Sequence, residues 1–257
     1  MTPGADAGTS AGERTGTGGS LGPRLGRPRV HLRRTDSTND RARELALAGA
    51  PHGTLVTAAE QTAGRGRQGR RWSAPAGEAL LMSLLLREPP ALLPLIAALA
   101  VCDAAGGQAR IKWPNDVVFV RASESGPGQL SKLAGILAEG RPQEGWAVLG
   151  IGLNVAVRLD RLPPELHETA ATLGREPQEL EPTLGALIGA LERRLAEPTE
   201  QTLDAWRARD ALRGRMISWR GGEGRAEGVD GAGRLVVSLD GGGRTALDAG
   251  EVHLQLG

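Results

Sequence analysis

Tyrosine is absent from this chain, phenylalanine and cysteine each occur once, and aromatic residues make up 2% of it. The core therefore has to be built from Leu, Val, Ile and Ala. Stacking on a planar ligand would fall to one of the 5 tryptophans or to aliphatic side chains. The single Cys102 excludes an internal disulfide and any multi-cysteine metal site, and it fits a reducing, cytoplasmic setting. It sits in an apolar helical stretch and reads as a packing residue, because a reactive thiol wants a basic, partly exposed setting. A net field is missing too. The 31 Lys and Arg against 30 Asp and Glu leave +1, so nothing global draws the protein to nucleic acid or membrane, and any basic function is local. No apolar run reaches membrane-spanning length, and the N-terminus lacks the charged head and apolar core of a secretory signal.

What is present suffices for a large domain and a small one: 257 residues, 40% hydrophobic. Residues 1–28, rich in Gly, Thr, Ala, Pro and Arg, read as a disordered tail too poor in apolar residues to hold a helix-turn-helix. Residues 29–212 read as an α+β domain with a mixed sheet. Strands are expected at Val30–Arg34, Thr54–Glu60, Ala79–Leu86, across Arg110–Val120, at Lys132–Glu139 and at Trp146–Val155. Ser37 with Asp40 has the form of a capping box ahead of a helix. Further helices are expected at Leu92–Ala105, with Pro94 in its first turn, at Leu184–Leu195 and at Leu203–Leu212. Residues 161–181 form a Pro-rich connection. Residues 213–257 alternate in short pieces between Gly/Asp turns, as in a small antiparallel barrel.

The densest chemistry lies in Gly64-Arg65-Gly66-Arg67-Gln68-Gly69-Arg70-Arg71-Trp72. Glycines let an anion approach the main chain, and arginines present planar donor forks to carboxylates and phosphates. The spacing is not that of a Walker A loop. Taken alone, the run is equally a solvated basic loop or a nucleic-acid contact. Lys112 stands at a strand end before the turn Trp113-Pro114-Asn115-Asp116, which fixes its direction. Gly135, Gly150 and Gly152 leave strand positions bare, which favours close approach of a ligand or of another backbone. Asn154, at the end of the same strand, reads equally as a ligand-binding amide and as a turn residue.

Together, Ser37-Thr38-Asn39, Gln61 with the Arg-Gly loop, Lys112-Trp113-Pro114-Asn115-Asp116, Lys132-Leu133-Ala134-Gly135-Ile136 and Gly150-Ile151-Gly152-Leu153-Asn154 resemble the biotin protein ligases, in that family's order. The resemblance runs from about Val30 to the C-terminus. It implies a mixed-sheet catalytic domain packed with helices, followed by an SH3-like barrel. It also implies activation of biotin by ATP with Mg²⁺ to biotinyl-5′-AMP, then transfer to one lysine of a carboxylase carrier domain. Lys112 and Arg67 would be catalytic. Ser37, Thr38, Asn39, Gln61, Arg65, Gly66, Arg67 and Lys112 would bind substrate, and Lys132 and Asn154 would meet the adenylate, with no protein-held metal. The expected enzyme is a monomer or homodimer without the N-terminal winged helix of longer members, and so without DNA binding. Two alternatives stay open. A lipoate or octanoate enzyme of the same fold would need a nucleophilic cysteine or lack this loop. A nucleic-acid binder would want more aromatics. The crowding of four arginines further predicts that residues 62–71 order only around an anion.

Overall fold

The computed structural model describes residues 24–122, 128–249 and 255–256. Most of the expected tail and the Ser/Gly/Pro stretch 123–127 lie outside them. Seven strands form one mixed sheet: β1 (Arg29–Leu32), β2 (Leu55–Ala58), β3 (Ala79–Arg87), β4 (Arg110–Lys112), β5 (Asp116–Arg121), β6 (Gln129–Arg141) and β7 (Trp146–Asn154), in the order β1-β2-β3-β7-β6-β5-β4. Only β1 and β2 run parallel, joined across helix α1 (Thr38–Leu47); the other neighbours are antiparallel.

Strand alternation assigns the two faces. Even positions of β3 (Leu80, Met82, Leu84, Leu86) and odd positions of β7 (Ala147, Leu149, Ile151, Leu153) enter the main core. Each such fully buried large side chain contributes roughly 1.5–3 kcal/mol. Above that face lie α2 (Leu93–Ala105), α3 (Leu180–Leu195) and α4 (Thr199–Arg207). Helix α2 is buried nearly all round because it touches the sheet, α3 and α4 together. On the opposite face α1 lays Ala42 and Ala46 on Val56, Leu85, Trp146 and Val148.

The C-terminal strands β8 (Met216–Trp219), β9 (Gly222–Val229), β10 (Leu235–Ser238), β11 (Arg244–Leu247) and β12 (Gln255–Leu256) make a second, antiparallel sheet, the small β-unit expected. Its inner residues Ile217, Ala226, Leu235 and Val237 join the main core rather than forming one of their own. The Trp113 indole donates to the Gly233 carbonyl at 3.0 Å and fixes the seam.

Four expectations need correction. The tail does not extend to residue 28: Leu25 is buried, its N–H donates to Glu192, and Gly26 bonds the Gly53 carbonyl. Ser37 does occupy the N-cap of α1, with extended backbone, but its side chain makes no capping bond. Instead the Thr38 N–H donates to the Gln61 side chain at 2.7 Å, and Asp40 is drawn to arginines, so the box does not close. Helix α3 begins at Leu180, inside the expected connection, which otherwise carries 3₁₀ turns. Helix α4 ends at Arg207, because the next residues pair with the edge of β4: the Ile111 N–H donates to Arg209, and the Ala211 N–H to Ile111.

That edge pairing buries Asp210. Its Oδ1 accepts the Leu212 N–H, its Oδ2 has no hydrogen-bond partner among the described residues, and burial raises its carboxyl to about 6. The unfolded chain releases this proton near 3.8, so between there and about 6 the folded state holds more proton. The stabilisation from the raised value is therefore complete below the unfolded value and lost as pH rises through about 6. Asp210→Asn should raise stability at pH 7.5 by ~1–3 kcal/mol, a gain that fades toward pH 4. Denaturant titrations showing an equal gain at both pH values would contradict this. A second expectation concerns the docked N-terminal segment: deleting residues 1–27 should cost ~2–4 kcal/mol more than deleting 1–23, through loss of Leu25 from the core. Equal denaturation midpoints would mean that Leu25 adds nothing.

Candidate active site

The sheet face that α1 covers changes character along its length. Beyond Val148 and Leu85 the same rows continue as Gly150, Gly152, Ser83 and, across β6, Gly135. There the helix ends and a cleft of about 150 Å³ opens toward solvent. The bare positions are not empty. A Cβ on Gly152 would meet the Trp72 indole at 2.5 Å, one on Gly135 would meet it at 3.1 Å, and one on Gly150 would collide with the Asn39 amide. The glycines thus make room for two of the protein's own side chains. Trp72, following the Arg-Gly loop, packs over Gly135 and Gly152 as one wall of the cleft.

One end of the cleft is a neutral polar network. The Gln61 Oε1 accepts from the Thr38 N–H at 2.7 Å and from its hydroxyl at 3.0 Å. The Ser83 hydroxyl lies 2.8 Å from Thr38 Oγ1 and 2.5 Å from Asn39 Oδ1. The Asn39 Nδ2 donates to Glu139 at 2.9 Å. Ser37, Thr38 and Asn39 are all buried, and they place the N-terminus of α1 at this end of the cleft.

The other end is cationic. The register of β5 with β6 slips between Val117, opposite Ala134, and Val118, opposite Lys132, leaving Leu133 as an extra residue. A bulge of this kind reverses the alternation. It turns Lys132 onto the face of Gly135, where its ammonium pairs with Asp116 at 2.7 Å and stands 5.7 Å from the centre of the Trp72 ring. Lys112 faces Asp116 across the hairpin turn. Burial pushes its ammonium below the ordinary lysine range; Asp116 opposes this, and Lys132, Arg70 and Arg215 add to it. Arg67 is likewise lowered by burial and donates to Asn115 at 3.3 Å. Asn115 is clamped to β6 by bonds to both sides of Ile136. Lys112, Lys132 and Arg67 thus crowd one carboxylate, an arrangement that favours an incoming anion.

Of the residues singled out in the sequence, Ser37, Thr38, Asn39, Gln61, Arg65, Gly66, Arg67, Lys112 and Lys132 line this one cleft. Asn154 does not: it is buried, and its amide donates to the Ala171 carbonyl at 2.8 Å. Arg65 lines the cleft but turns its guanidinium to Asp40 and Glu139. The loop thus closes on the protein's own carboxylates, where the sequence suggested a ligand's. Cys102 is fully buried and its thiol is pushed up to about 12, chiefly by burial, which removes it as a nucleophile. Sequence reasoning passed over Ser83 and Glu139. Ser83 is the one hydroxyl in the apolar run of β3, and Glu139 is two alternations on from Gly135. Those positions were the available signals.

The sequence model of the Biotin/lipoate A/B protein ligase family matches residues 31–155. The Paracoccus denitrificans biotin--[acetyl-CoA-carboxylase] ligase is 34% identical over 247 residues, which cover 86% of this chain and 98% of that protein. The Bacillus spizizenii bifunctional ligase/repressor BirA is 41% identical over 155 residues, 56% of this chain; the match spans only 45% of that longer relative. Among solved structures, the Aquifex aeolicus biotin protein ligase in complex with biotin and ATP superposes with a TM-score of 0.71 at 26% identity, over 89% of this chain and 99% of that one. With the glycine-floored cleft and its polar and cationic ends in place, and a relative one-third identical matched over nearly its full length, the chain belongs to the biotin protein ligase family.

Proposed function

We propose that this chain activates biotin with ATP to biotinyl-5′-AMP and then transfers biotin to a lysine of a carboxylase carrier domain. The observation that carries this reading is one cleft with a neutral, hydrogen-bonding end and a cationic end. Biotin has the matching halves, an uncharged ureido ring and a carboxylate. The Ser37-Thr38-Asn39 corner with Gln61 suits the ureido group, whose N–H and C=O need both donors and acceptors. Lys112 and Arg67 suit the meeting of the carboxylate with the α-phosphate.

In the first step a biotin carboxylate oxygen bonds to the α-phosphorus, and the bond to the pyrophosphate oxygen breaks. Two anions must meet, so catalysis is mainly positioning and charge neutralisation. Lys112 can bridge carboxylate and phosphate oxygens, and Arg67 closes from the loop with Gly66 beside it. Lys132 and the flat Trp72 face flank the adenylate. Asn154 is left out of the proposed contacts because its amide is committed to Ala171. Among the described residues no three acidic, His or Cys side chains gather as a metal site. Mg²⁺ accompanying the nucleotide would supply further neutralisation of the triphosphate charge. In the second step the carrier lysine amine bonds to the acyl carbon and AMP leaves. No protein nucleophile is required. The buried Cys102 disfavours a thiol-dependent transferase of the same fold, and the near-neutral charge gives no support to nucleic-acid binding.

Incubation with ATP, biotin and a carrier domain should biotinylate one lysine; a protein that labels the carrier with lipoate or octanoate instead would overturn the reading. Lys112→Ala should lower the rate of biotin-dependent pyrophosphate exchange by ~100-fold or more while changing biotin affinity less than about 5-fold, since its charge is needed most in the transition state. Equal losses in both would reduce Lys112 to a binding residue. Arg67→Gly should leave biotin bound but release biotinyl-AMP into solution roughly 10-fold faster, because a cation at the phosphate is lost. Retention equal to the parent's would remove Arg67 from the proposed site.

A further inference from the structure

We propose that Glu139 is a positioning residue that couples closure of the Arg-Gly loop to the setting of the Asn39 amide, with Arg65 as the latch. The proposal rests on the biotin-ligase reading for its consequence, though not for its geometry. Glu139 faces two ways. Its Oε2 accepts the Asn39 Nδ2 at 2.9 Å and lies 3.1 Å from Arg43 Nη2. Its Oε1 pairs with Arg65 Nη2. Asp40 Oδ1 completes the ring, 2.7 Å from Arg43 Nη1 and 2.5 Å from Arg65 Nη1. Two arginines and two carboxylates therefore alternate around a closed circuit of zero net charge.

Three of the four side chains stand on fixed elements: Asp40 and Arg43 on α1, Glu139 on β6. Arg65 alone comes from the loop, so the circuit is complete only when the loop lies down. An isolated surface ion pair would add little. This one differs in three respects: the charges form a network, each side chain is only 24–37% exposed, and one carboxylate is shared with the cleft. With its Nδ2 held by Glu139, Asn39 has to present Oδ1 to Ser83, and Gly150 leaves the space for that oxygen. Loss of the carboxylate would remove the shorter of the two bonds made by Asn39 Nδ2, the other being to the Leu137 carbonyl at 3.4 Å, together with one of the two ion pairs that hold Arg65.

The circuit also divides the labour among the loop arginines. Arg65 is neutralised by the protein and holds the loop shut. Arg67, beside Lys112 and Lys132, is left to meet the ligand's charge. The latch should act mainly on how long the reactive adenylate is kept, with less effect on how fast it forms.

The test uses the full chain with Arg65→Ala, Glu139→Gln and Asp40→Asn, singly and as the pair Arg65→Ala/Glu139→Gln. Glutamine keeps an oxygen for Asn39 while removing the charge that holds Arg65. Two quantities are measured: release of biotinyl-AMP, and tryptic cutting after Arg67, Arg70 and Arg71 in protein without ligands. Each single variant should release adenylate roughly 5–20-fold faster and be cut faster, with a smaller change in the rate of adenylate formation. The double variant should be no worse than the worse single, as for residues acting through one contact. Arg65→Lys should restore part of the retention, since an ammonium keeps the charge but spans the two carboxylates poorly. Effects that multiply in the double variant, or folded single variants with unchanged release and unchanged cutting, would overturn the latch. If Glu139→Gln does not fold, Asp40→Asn against Arg65→Ala decides the same question. A parent that forms no biotinyl-AMP would overturn the ligase reading alone, because the tryptic comparison still judges the latch.

Discussion

The site depends on a change in one row of a pleated sheet. Side chains on alternate strand positions share a face. Along β7 that face reads Trp146, Val148, Gly150, Gly152. The first two residues bury α1, and the next two remove the bulk that would keep anything else from lying against the backbone. Where the helix stops and the glycines begin, the sheet becomes the floor of a cleft. Trp72 and Asn39 take up the cleared space, so the cleft's wall and its hydrogen-bonding corner are set by the same absent side chains. A methyl at Gly152 would strike the indole ring, which is rigid and cannot give way as the end of a lysine can.

The second constraint is electrostatic. Cations in a half-buried cleft repel one another, and the fold accommodates them in two ways. Where a charge is structural, it is met by the protein: Arg65 by Asp40 and Glu139, Lys132 by Asp116. Where charge is left in excess, around Lys112 and Arg67, desolvation lowers the affinity of both groups for their protons. Such an excess of positive charge favours an incoming anion, and phosphate and carboxylate are the anions of the proposed reaction.

Much of this was legible before any coordinates. The strands of the large sheet, the α2 span and the residues that share the cleft follow from alternation, from helical spacing and from the motif order. What could not be read has a common physical origin in contacts made across long sequence distances. The run to Leu212 is helical by pattern, yet the backbone of Arg209 and Ala211 finds a partner in Ile111 and leaves the helix early. Ser37 looks like a capping residue, but Gln61, 23 residues downstream of Thr38, supplies the acceptor. Lys132 reaches the cleft through a bulge at Leu133, and no local propensity marks that extra residue. Leu25 lies in a segment whose composition is that of a tail, and only the pocket it fills gives it a place.

The edge pairing that ends α4 also bears on the chemistry. Strand β4 is short, and Lys112 is its last residue. A three-residue edge strand held on one side only would be free to fray. Here Ile111 is bonded on its outer side by the segment leading into the C-terminal sheet, and Trp113, immediately after Lys112, is anchored by its indole to Gly233 in the turn before β10. Lys112 is therefore bracketed by two attachments to the C-terminal part of the chain. Its ammonium is partly desolvated, and the role proposed for it requires placement within a fraction of an ångström of two reacting anions. In that proposal the small β-sheet serves the reaction without contributing a reacting group, by removing the freedom of the strand that carries the lysine.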